Sequence, residues 1–210
     1  MLGSGLSCAL AGCTSEESGN PPLLVAGSGA PVIVPGAPGD AGRTARPGER
    51  LGRSESKASA ADVLFAQRMI PHHRQALEMA GLAASRTSNG AVRRICERIA
   101  VGQRPEIGVM TRWLTALGRE VPAGHSAHET SPGQDGYGMA NLEEMNRLRS
   151  SRDAAFDALL LRLMIRHHEG AVRMAGEELS DGTDQILRKM AQDVASGQRV
   201  EIYRMRDLMK

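Results

Sequence analysis

One stretch of this chain is written twice. Residues 69–80 read Met-Ile-Pro-His-His-Arg-Gln-Ala-Leu-Glu-Met-Ala, and residues 164–175 read Met-Ile-Arg-His-His-Glu-Gly-Ala-Val-Arg-Met-Ala. Each copy sets two adjacent imidazoles, His72-His73 or His167-His168, one helical turn after a thioether, Met69 or Met164. Imidazole and thioether suit copper, Cu(I) above all, and they are poor ligands for Mg or Ca. The same side chains have a second chemistry open to them. Buried His can satisfy a hydrogen-bonded network, and Met at helical spacing fills cores.

The repeat extends beyond the His pairs at a constant offset of 95 residues. Asp62 maps onto Asp157, Asn89 onto Asp184, and Gln103-Arg104-x-Glu106-Ile107-x-x-Met110 onto Gln198-Arg199-x-Glu201-Ile202-x-x-Met205. A period this long points to a duplicated helical unit, not a short solenoid repeat. Each unit then offers two His, a Met before them, and a Gln-x-x-Glu-x-x-x-Met row: Glu106 with Met110, and Glu201 with Met205. An inward Glu is expensive unless something satisfies it. Either the imidazoles bond Glu106 and Glu201 in a metal-free network, or the carboxylates orient imidazoles that hold a metal.

Long helices must position these groups. The apolar residues are Ala, Leu, Ile, Val and Met, with only 2% aromatic, which favours helix over strand. With Met69 as origin and about 100° per residue, His73 lies near +40° and His72 near −60°. Both rings therefore sit on the apolar stripe, while Arg74, Gln75 and Glu78 fall on the far side. Ser59 with Asp62 resembles a capping box, and the first helix runs to about Ser85. Helices follow from about Ala91 to Leu117, Ala140 to Leu148, Arg152 to Leu179 and Asp184 to near Lys210. Pro71 and Pro105 interrupt two backbone ladders. Gly102 and Gly197 mark either a close approach of helix backbones or chance retention. The expected fold class is all-α, a four-helix bundle built from two duplicated hairpins, residues 58–115 and 153–210.

This pattern resembles the DUF305 family over roughly residues 58–210, through both M-I-x-H-H segments and both Q-x-x-E-I-x-x-M segments. The resemblance implies a ferritin-like bundle in an extracytoplasmic bacterial protein, and it tilts the two readings of the His pairs towards copper. Zinc held by His and Glu is the second metal. Only about one inward Glu per repeat disfavours di-iron ferroxidase chemistry, and cysteine count excludes a Cys-type zinc site. His-Glu pairs could support acid–base work, but no nucleophile–base pair, phosphate loop or dinucleotide fingerprint accompanies them. An enzyme is the less favoured class, and the oligomeric state is left open.

The ends of the chain bear on location. Residues 1–13 form a short apolar leader, and Leu10-Ala11-Gly12-Cys13 is similar to a lipobox in which Cys13 is lipidated. No Lys or Arg precedes that run. Residues 14–57, rich in Gly, Pro and Ser, read as a disordered tether, with Val32-Ile33-Val34 unstructured between prolines. The expected location is the cell envelope, held to a membrane by the lipid. Cys96 is a small core residue. A net charge of +2 and scarce aromatics give no nucleic-acid signature. His125 and His128, in a Gly/Pro-rich connection, read as solvated. Labelling cells with a lipid precursor should tag the wild type and leave Cys13→Ala untagged; equal labelling would exclude the anchor.

Overall fold

The computed structural model describes residues 24–25, 27, 31–34, 41–51, 58–123 and 136–210. Cys13, the lipobox-like segment, most of the tether, His125 and His128 lie outside the described residues. The chain divides into two units, Met1–Glu55 and Ser56–Lys210.

In the first unit, β1 (Leu24–Val25) pairs antiparallel with β4 (Arg50–Leu51), and β2 (Ile33–Val34) pairs with β3 (Arg43–Thr44). Ile33-Val34 was expected to be unstructured and is instead paired. The Ala45 amide extends the pairing by donating to the Val32 carbonyl at 2.8 Å. Glu49 folds the following turn by accepting from the Arg46 amide and from the Arg43 guanidinium.

The second unit is helical. It contains α1 (Ala60–Arg86), α2 (Gly90–Ala116), α3 (Leu142–Ser150), α4 (Asp153–Asp181) and α5 (Gln185–Asp207). The hairpins α1–α2 and α4–α5 form a four-helix bundle, with α1 packed on α4 and a slighter contact between α2 and α5. Capping sets the boundaries. Ser59 and Asp62 form the expected capping box on α1, Asn89 caps α2, and its counterpart Asp184 caps α5. Both helices run unbroken through their prolines, α1 through Pro71 and α2 through Pro105.

Two apolar clusters hold the bundle. One takes the C-terminal half of α1 and the N-terminal half of α4, with Met79, Cys96, Ile99, Phe156, Met164 and Met205. The other takes the opposite halves, with Phe65, Met69, Met110, Leu114, Met174 and Leu187. Each fully buried large side chain contributes about 1.5–3 kcal/mol, so the two ends of the bundle carry its stability. Burial pushes the Cys96 thiol up to about 12, and Asp157 adds to that rise.

Asp62 also joins the hairpins. It accepts from the Ser59 amide in its own cap and, across the bundle, from the Thr183 amide at 3.0 Å, the Thr183 hydroxyl at 3.1 Å and the Asp184 amide at 3.0 Å. Burial alone would raise its pKa, but the bonds from the Asp184 amide, Ser59 and Glu178 outweigh it and hold Asp62 below the usual carboxylate range. Beside it, the fully buried Glu178 is pushed up to about 8, by burial first and then by its hydrogen bond to Asp62 and that group's charge. Arg188 opposes the rise and Asp184 adds to it. Glu178 thus keeps a proton that the unfolded chain releases near 4.5. Between those two values the native state binds more protons, so this contribution is full below the lower value and is lost as pH rises through the upper one. Glu178→Gln should cancel that decline. In denaturant titrations from pH 5 to 9, wild type should fall relative to the variant by roughly 2–5 kcal/mol, whereas parallel curves would contradict the protonated pair.

Candidate metal centre

The His pairs lie at the middle of α1 and α4, between the two apolar clusters. All four rings are buried, with His73, His167 and His168 at 0% exposure and His72 at 1%. His72 and His167 stack across the helix crossing, with centroids 3.6 Å apart and planes at 29°. His73 and His168 stand outside this pair, 6.4 Å and 6.2 Å from their neighbours. The facing helices supply the Glu partners. His73 Nε2 lies 2.7 Å from Glu106 Oε2, and His168 Nε2 lies 2.9 Å from Glu201 Oε2. The two hairpins therefore repeat one pairing, from the middle of one helix to the middle of the next.

Hydrogen-bond partners fix where the ring protons sit. A carboxylate or carbonyl only accepts, so Nε2–H of His73 and His168 donates to Glu, and Nε2–H of His72 donates to the Tyr137 carbonyl at 2.9 Å. Nδ1 of His72, His73 and His168 has no partner, and His167 has none at either nitrogen. A proton on those Nδ1 atoms would be buried without an acceptor, which costs about 1–3 kcal/mol. Nδ1 of His72, His73 and His168 is therefore a bare lone pair, while neutral His167 keeps one proton and one lone pair. Burial, offset in part by the Tyr137 bond, lowers His72 to about 3, and burial with the neighbouring imidazoles holds His167 well below its ordinary value. Both rings are uncharged at neutral pH, the state in which imidazole binds a metal.

A strap covers one side of this layer and breaks the twofold symmetry. Tyr137 and Gly138 turn consecutively through positive φ, 41° and 72°, and lie against the α4 backbone. A Cβ on Gly138 would stand 2.1 Å from the Arg166 carbonyl oxygen, and one on Gly170 would stand 1.6 Å from that of Tyr137. Gln75 clasps Ala140, donating to its carbonyl at 2.8 Å and accepting from its amide at 2.7 Å. The Tyr137 hydroxyl donates to Glu177 at 2.7 Å, and Arg68 and Arg173 flank its ring. Arg166 ties Gly138 and Met139 to Glu144 of α3. Of the two stacked rings, only His72 is bonded by the strap, through the Tyr137 carbonyl.

On the other side, α2 and α5 leave a cavity of about 100 Å³ lined by Gln103, Glu106, Asp193, Gln198 and Glu201. Gly102 and Gly197 also line it, and a Cβ on either would meet nothing within 4 Å. Close backbone approach is therefore not their role, because the helices separate there.

The sequence-derived residues fall into two groups. His72, His73, His167, His168, Glu106 and Glu201 share the middle layer. Met69 and Met110 lie in one apolar cluster, and Met164 and Met205 in the other. Among the described residues, no three His, Cys, Asp or Glu side chains already stand as a metal-holding group. Gln75 was expected on the solvent side and is 2% exposed, because the strap crosses that flank. Tyr137 and Gly170 were missed. The signals for them were the Gly136-Tyr137-Gly138 turn and a glycine inside α4 where the first repeat has Gln75.

Two like hairpins enclosing a His/Glu layer define a duplicated helical bundle. The chain belongs to the DUF305 family, a domain of unknown function that matches residues 62–209. It is similar to a DUF305 protein of Streptomyces coelicolor described as a candidate secreted protein, at 31% identity and a TM-score of 0.63 over 70% of this chain and 91% of that one. A DUF305 fragment from Deinococcus radiodurans matches at 30% identity and a TM-score of 0.63, over 72% and 96% of the two chains. CopM in its Cu(II)-bound form matches at 27% identity and a TM-score of 0.59, over 70% and 94%. CopM has also been solved in Cu(I)-bound, silver-bound and apo forms. No match was found among curated proteins.

The strap's fit on α4 is testable at one glycine. Alanine inside a helix ordinarily gains about 0.5–1 kcal/mol over glycine, and Gly176→Ala, with open space around its Cβ, should show that gain. Gly170→Ala should instead lose about 1–3 kcal/mol in denaturant titrations, by driving the strap off His72. Equal effects at the two positions would contradict the packing.

Proposed function

We propose that the protein is an extracytoplasmic copper-binding bundle that holds Cu(I) at the imidazole layer. The observation that carries this reading is the set of five buried imidazole nitrogens without partners, on His72, His73, His167 and His168. Buried polar atoms without partners are rare in proteins, and a bound ion is one standard way of satisfying them. The lone pair that each ring keeps is chemically suited to Cu(I), with thioethers of Met69, Met164, Met110 and Met205 buried in the adjoining clusters as further soft donors. Glu106 and Glu201 take the role of orienting His73 and His168 from behind. Because the stacked rings and their neighbours do not yet converge on one point, ring rotation accompanies binding. Zinc is the second metal that the His/Glu set admits. The CopM structures with copper and silver, and the Streptomyces relative's description, support copper and export. Anchoring through Cys13 belongs to the same proposal.

A specific observation favours one alternative. The His–Glu bonds at 2.7 Å and 2.9 Å are also what a metal-free network would make. Anaerobic competition titration separates the two. Wild type should take up Cu(I), and at about one hundred times Kd its stability should rise by nearly 3 kcal/mol, several degrees in Tm. His167→Ala with His168→Ala should lose copper and that rise while the apo fold changes less. If wild type shows neither uptake nor stabilisation, the network reading stands.

A further inference from the structure

We propose that the cavity between α2 and α5 is a second cation site, built from oxygen donors, that takes a partly hydrated divalent cation. It does not depend on copper at the imidazoles. Gln103 and Gln198 are 3% and 4% exposed, and all four of their amide atoms lack partners. Both side chains line the cavity. An amide in that position loses its hydration and gains nothing in return unless something occupies the space.

The carboxylates say what that occupant is. Glu106 and Glu201 line the same cavity, each with one oxygen taken by an imidazole Nε2–H. That bond brings no positive charge when the ring is neutral. Among the described residues, neither Glu is paired with Lys or Arg. Asp193, also in the lining, is paired with Lys189. Two carboxylates lining one partly enclosed space, with no Lys or Arg against either, form an electronegative pocket. A cation offsets that charge. The volume, about 100 Å³, holds an ion with about two or three waters at roughly 30 Å³ each.

Donor chemistry selects the ion. Two carboxylates and two amide carbonyls, without sulfur or an open imidazole nitrogen, suit a hard cation that keeps part of its water shell. With Asp193 taken by Lys189, the amides are needed to complete the set. This chemistry is the opposite of the imidazole layer beside it, so the two sites should discriminate between soft and hard ions.

Mn²⁺ provides the probe, since its free aqueous EPR signal disappears on binding. Full-length, copper-free wild type should take up about one Mn²⁺ per chain, displaced by Mg²⁺ or Ca²⁺. Gln103→Leu with Gln198→Leu should weaken uptake about tenfold or more, and Glu106→Gln with Glu201→Gln should weaken it further. The Leu variant removes unpartnered amides, so its apo Tm should equal or exceed that of wild type, which separates lost binding from lost folding. If it fails to fold, the Glu→Gln variant, which keeps side-chain size, carries the test alone. An undiminished free Mn²⁺ signal with wild type, or equal uptake by wild type and the variants, would overturn the proposal.

Discussion

A hydrogen bond from a buried imidazole to a carboxylate on the neighbouring helix, made once in each hairpin, governs the centre of this bundle. Its polarity decides the rest. Nε2–H donated to Glu106 or Glu201 leaves Nδ1 of His73 and His168 as an unprotonated lone pair facing the interior. The layer is costly by itself, since it places polar rings where Leu or Ile would gain packing. The apolar clusters on either side supply the stability that tolerates it. The molecule thus separates its tasks: Met- and Leu-rich ends fold the bundle, and its middle keeps donors unsatisfied.

Duplication alone would have produced a symmetric centre. The strap prevents that, because it fills the space over the α1–α4 crossing with a single segment. It reaches His72 through the Tyr137 carbonyl and rests on Gly170, where the first repeat carries Gln75. Gln75 in turn clasps Ala140. The one residue that differs between the copies at this position therefore serves as a clasp on one side and a seat on the other. The junction near Asp62 diverges similarly. Glu178 stands where the first repeat has Ala83, and it gives the second hairpin a protonated carboxyl that the first lacks.

Much of this was legible from residue spacing. The offset of 95 residues gave two hairpins, and helical angles put both His of each pair on the apolar stripe. The desolvation cost of Glu106 demanded a partner, and His73 was among the candidates. What spacing does not carry is contact with segments of irregular backbone. Gln75 looked solvent-facing because nothing in the helix itself announces a strap lying across it. Ile33-Val34 looked isolated because its partner, Arg43-Thr44, has no apolar pattern. Gly102 and Gly197 allowed either a close approach of helix backbones or chance retention, and the separation of α2 from α5 removes the first. The Met residues follow the same logic: their helix positions were readable, their distribution between two clusters was not.

The central claim, that the carboxylate bonds leave Nδ1 free for a soft metal, is most directly tested by ¹⁵N side-chain NMR of the histidines before and after Cu(I) is added. For His73 and His168 the apo spectrum should show a protonated Nε2 and an unprotonated Nδ1. On adding Cu(I), the Nδ1 resonances should move while Nε2 keeps its proton. Protonated Nδ1 atoms in the apo protein, or Nδ1 resonances unmoved by Cu(I), would contradict the account.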